Sequence, residues 1–120
     1  MRLLRALFSL NQAKRIHQLA AELADAHFEA IWGRLQPRVV LMAPAEARGY
    51  VRAYAAAVLR GQVRLCLIDH ADIRQRAADP LLKQALDQVL WRATAEIVRL
   101  RRELAARATS AKTAPARKAA

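Results

Sequence analysis

Apolar residues recur every three or four positions through most of this chain, and the pattern is interrupted at Ser9 to Asn11, at Pro37 to Pro44 and at Asp79-Pro80. That spacing fits a helix turning by about 100° per residue, and no run shows the two-residue alternation of a strand. From Asn11 to Leu35, Ile16, Leu19, Ala20, Leu23, His27, Ala30 and Ile31 fall on one arc, with Arg15, Gln18, Glu22, Asp25 and Glu29 opposite. Pro37 is expected to end this helix, because its ring removes a donor and crowds the preceding turn. Pro44, with Glu46 close behind, has the form of a first helical turn. The second helix then meets no strong breaker before Asp79, although Gly49 and Gly61 each weaken it by about 1 kcal/mol relative to alanine. Asp79-Pro80 reads as a cap followed by an N1 proline and opens a third helix, where Leu82, Leu86, Val89, Leu90, Ala93, Ile97, Leu100 and Leu104 form the stripe.

At the start, Leu3, Leu7 and Leu10 lie on the far side of the first helix's stripe, and Ser9 with Gln12 has capping-box spacing. The expected fold is therefore all-α: an elongated antiparallel bundle of three long helices with a short N-terminal amphipathic helix. Residues 1–108 form one helical domain; 109–120, without a large apolar residue, form a disordered basic tail. The second helix carries two apolar arcs, Val51, Tyr54, Val58, Leu65, Ile68 and Leu59, Val63, Cys66, Ile73, so its second half is expected to be buried nearly all round. Trp91 and Val98 stand outside the third helix's stripe, beside Thr94 and Ala95. They are expected to meet either the Leu3 to Leu10 segment or another subunit. Small neighbours let a second helix approach closely, so Trp91 and Val98 mark the self-association face of a homodimer.

Charge narrows the partners. The net charge is +11, and the four basic residues after Ala106 (Arg107, Lys112, Arg117, Lys118) meet no acid there, so removing them still leaves +7. Such a field favours nucleic acid, an acidic protein or an anionic membrane surface. On the third helix, Arg92 with Glu96, Arg99 with Glu103 and Glu103 with Arg107 have i,i+4 spacing and read as paired surface charge. Arg101 and Arg102 lack such acids. With Arg107, Lys112, Arg117 and Lys118 they form the expected polyanion-binding set. Helices this long do not form a helix-turn-helix, so binding is expected to be electrostatic and independent of sequence.

Enzymatic chemistry is not expected. The chain has no glycine-rich phosphate loop, nucleophile elbow or paired CxxC, and no catalytic, cofactor-binding or metal-ligating set. Glu22, Asp25 and Glu29 share a face but lack the Glu-x-x-His partners of a di-iron bundle, and read as a solvated face or a dock for Arg48 and Arg52. His27 is either a core histidine satisfied by Tyr50 or Tyr54 or a pH switch. Asp69, His70 and Asp72 form one local cluster without a distant second half. Cys66, the single cysteine, sits among apolar residues as an inert thiol. The apolar run at the start is too short for a signal peptide, and a cytoplasmic location is expected. The function expected is that of a non-enzymatic, self-associating interaction protein with a basic surface and no small-molecule substrate. The alternative is a peripheral membrane or granule-surface protein that uses the Arg2 to Leu10 segment.

Overall fold

The computed structural model describes residues 2–73 and 75–119, with side chains described as far as 111. Three helices hold nearly all of them: α1 (Arg2–Val39), α2 (Pro44–Asp69) and α3 (Ala78–Ala119), with a 3-10 turn at Gln75–Ala77 before α3. Among the described residues there is no strand. Each helix packs on both others, and the molecule measures 82 × 27 × 22 Å. Asp25 of α1 is level with Arg92 of α3, and Gln36 and Pro37 share a groove with Leu100 and Leu104, so α1 and α3 run the same way. Arg38 reaches Tyr50 of α2, while Leu19 and Glu22 lie beside Cys66 and Asp69, so α2 runs opposite to α1.

The core is laid out in rows of every fourth residue. Ala47, Val51, Ala55, Leu59 and Val63 are buried along α2, and Ala77, Leu81, Ala85, Val89, Ala93 and Ile97 along α3. Alanine alternates with larger side chains, so i±4 ridges can interlock at close range. On α1 the row Ala20, Ala24, Phe28, Trp32 gives way to Ile31, Leu35 and Val39. The leucines expected to lead the third helix, Leu82, Leu86 and Leu90, flank this spine half-buried, and Leu104 is exposed. The second half of α2 is not buried all round: Leu65 is 55% and Ile68 76% exposed, because only the Leu59 and Val63 arc turns inward.

The helix ends also differ from expectation, each for a local reason. Helix α1 is continuous through Ser9 to Asn11, so the start is not a separate short helix. It includes Pro37; the carbonyl that this ring crowds, four residues back, belongs to exposed Gly33, and the helix ends two residues later. Helix α2 stops at Asp69, where the His70 N–H donates to the Cys66 carbonyl and the Ile73 N–H to the His70 carbonyl. Pro80 then falls inside the first turn of α3, where backbone N–H groups lack helical acceptors in any case. The backbone of α3 is helical to Ala119, across the segment expected to be a disordered tail; its described side chains there, 109–111, are exposed.

Candidate functional site

The row next to the buried spine of α2 decides the character of the surface. One position beyond Ala47, Val51, Leu59 and Val63 come Arg48, Arg52, Arg60 and Arg64, all exposed, with Ala56 filling the remaining place. No acidic residue occurs on α2 between Glu46 and Asp69. No ion pair involves these four arginines among the described residues. The next row, Gly49, Ala53, Ala57 and Gly61, is exposed and small. Arg48 borders a groove shared with Thr94, Val98 and Arg101 of α3, and Arg64 one shared with Gln75 and Ala78, so the arginine row follows the α2–α3 seam.

Arginines on α3 are placed differently. Arg92 donates to Asp25 across the α1–α3 seam and stands 5.7 Å from the centre of the Phe28 ring, which is stacked with Trp32. Arg99 bonds Glu96 at 2.7 Å and Glu103 at 2.6 Å. Thus Arg92 crosses to Asp25 instead of pairing with Glu96, and Glu103 turns to Arg99 instead of Arg107. The α1 acids do not dock Arg48 or Arg52. Arg101 is half-buried and donates to the Met42 carbonyl in the α1–α2 connection. Arg102 is exposed, as is Arg107, which borders a groove with Gln36, Pro37 and Leu41. The side chains of Lys112, Arg117 and Lys118 lie outside the described residues.

The turn after α2 is held by α1. Gln12 donates to the Asp72 carbonyl at 3.0 Å, and Arg15 bonds the Asp72 carboxylate at 3.2 Å and His70 Nδ1 at 3.0 Å. A guanidinium only donates, so His70 Nδ1 accepts and its proton sits on Nε2. These bonds give Asp72 and His70 a structural role. Burial pushes the Cys66 thiol above its ordinary range, and Glu22 adds to the effect, so less reactive thiolate forms. His27 is half-buried and bonds neither tyrosine among the described residues; Tyr50 instead accepts from Arg38 at 3.0 Å. No group of three or more His, Cys, Asp or Glu is placed to hold a metal among the described residues.

Trp91 is 79% and Val98 42% exposed, with Thr94 and Ala95 exposed beside them. The N-terminal segment does not cover Trp91, because Phe8 and Gln12 lie by Arg76 and Ala77 of the 3-10 turn and Pro80 at the start of α3, about three to four helical turns before Trp91. Leu3, Leu4, Leu7, Phe8 and Leu10 are themselves exposed, since α2 has ended and α3 only begins at this level. Among the described residues no helix is long and apolar enough to cross a membrane. No protein family, curated protein or solved structure matches the chain.

Proposed function

We propose that the protein is a non-enzymatic, self-associating helical interaction protein of the cytoplasm, whose basic surface binds a polyanion such as nucleic acid without reading its sequence. The observation that carries this reading is the fate of the charge. Ion pairs engage Arg15, Arg92 and Arg99, whereas Arg2, Arg5, Lys14, Arg34, Arg102 and Arg107, besides the arginines of α2, are exposed and in no ion pair among the described residues. Cations left in water cost little to fold and attract a polyanion by releasing its counterions. The Cys66 shift, away from reactivity, fits a chain without a nucleophile.

A fluorescence titration of labelled random-sequence duplex tests the reading: affinity should fall steeply as salt rises, and should be the same for unrelated sequences. Absence of binding at low salt would overturn it. Self-association is tested by light scattering on Trp91→Ala, for which the monomer–dimer midpoint should shift by more than about tenfold, since a loss of about 2 kcal/mol corresponds to about thirtyfold, with helicity retained. A wild-type chain that is monomeric at high concentration excludes the dimer.

A second reading is favoured by one observation, the exposure of Leu3 at 80% and Leu4 at 72% beside Arg2 and Arg5. Such a segment can lie in an anionic lipid surface. Binding to anionic vesicles that disappears when residues 2–10 are deleted would support it, and binding unaffected by the deletion would exclude it.

A further inference from the structure

We propose that the exposed flank of α2 along the α2–α3 seam is a track for the phosphodiester backbone of nucleic acid, with Arg48, Arg52, Arg60 and Arg64 as its phosphate contacts. The proposal rests on the polyanion reading above and gives that reading a site. At about 1.5 Å per residue, successive places on the row are about 6 Å apart and the whole row spans about 24 Å of helix axis. An extended polyanion can follow a line of that kind, whereas a compact anion would meet one or two of its members. Guanidinium groups bond phosphate oxygens through two parallel donors, and these four are committed to no carboxylate among the described residues.

The neighbouring row supplies a second, independent observation. A Cβ added at Gly49 or Gly61 would meet nothing within 4 Å, so no packing inside this chain calls for glycine at either place. Glycine in a helix interior lowers stability relative to alanine. Together with Ala53 and Ala57 the two glycines leave a strip of small exposed residues beside the arginine row, where no bulky side chain of α2 stands in the way of a ligand.

Two other occupants fit less well. The acidic face of α1 could offer a second copy Glu22 and Glu29 beyond the Asp25 that Arg92 engages, too few carboxylates for four arginines. A bilayer requires apolar side chains to insert, and on this face Leu65 and Ile68 lie only at the C-terminal end of the row.

The test uses the full chain and a labelled random-sequence duplex. One variant carries Arg48→Gln, Arg52→Gln, Arg60→Gln and Arg64→Gln; a control removes the same charge elsewhere through Arg2→Gln, Arg5→Gln, Arg34→Gln and Lys83→Gln, all exposed. Circular dichroism establishes that both remain helical. The α2 variant should bind at least about tenfold more weakly at low salt, with a plot of log affinity against log salt shallower by about 3 to 4. The control should lose distinctly less and keep its slope, and lysine at the four α2 positions should restore the slope. If the wild type binds no duplex, the polyanion reading itself fails. If it binds and both glutamine variants weaken equally, net charge suffices and the track is overturned. Retention of phosphatidylglycerol vesicles, but not duplex, through the same arginines would overturn the nucleic-acid ligand.

Discussion

On α3 the guanidiniums of Arg92, Arg99 and Arg101 each reach an oxygen of their own chain, whereas on α2 those of Arg48, Arg52, Arg60 and Arg64 reach none among the described residues. Both helices are amphipathic and both place arginine one or a few positions from a buried row. Their neighbours differ. Helix α3 carries Glu96 and Glu103 within a turn of Arg99, and its seams bring Arg92 to Asp25 and Arg101 to the Met42 carbonyl. Helix α2 carries no acid between its ends. The same residue type is therefore bound into the fold in one place and left in solvent in the other.

The comparison depends on which row of α2 faces inward, and that assignment carries the largest expected effect on stability. Ala55 lies on the fully buried spine and Ala57 is exposed. Ala55→Leu should overpack the helix seams and destabilise the protein by about 3 kcal/mol, while Ala57→Leu should stay within about 0.5 kcal/mol. Urea denaturation measures both, and equal losses would mean that the rows are misplaced.

A smaller effect separates the arginines directly. Arg92→Gln removes a partly screened ion pair and the Phe28 ring contact, so it should cost about 1 kcal/mol. Arg52→Gln should cost less than about 0.5 kcal/mol. Comparable losses from the two would erase the distinction. The smallest effect has the opposite sign: Gly61→Ala should raise stability by about 0.5 to 1 kcal/mol, because the added methyl meets no neighbour. A loss on that change would show that the glycine serves the fold.

How much of this is legible in sequence depends on which physical signal each feature leaves. Helical class, the opening of α2 at Pro44 and the outward placement of Trp91 follow from period and punctuation. The spine is harder to read, since hydropathy ranks Leu82, Leu86 and Leu90 above Ala85 and Ala93, whereas close helix approach favours the small residues. The end of α2 at Asp69 leaves no breaker to find; it is imposed by a turn that Gln12 and Arg15 hold from another helix. Arg101 lacks an acid at i,i+4 and so reads as free, but its acceptor is a carbonyl far away in sequence. The α2 arginine row does leave a signal, a four-residue spacing without intervening acids. Pairing Arg48 and Arg52 with the α1 acids conceals it, and only the seam between Asp25 and Arg92 shows where an α1 acid goes.

Thermal melting of the wild type and of the fourfold Arg→Gln variant of α2, each with and without duplex at low salt, tests the central claim most directly. Without duplex the two should melt close together, because these arginines form no ion pair among the described residues; with duplex the wild-type midpoint should rise and that of the variant should barely move. A variant that melts well below the wild type without duplex, or that gains as much as the wild type with it, would contradict the account.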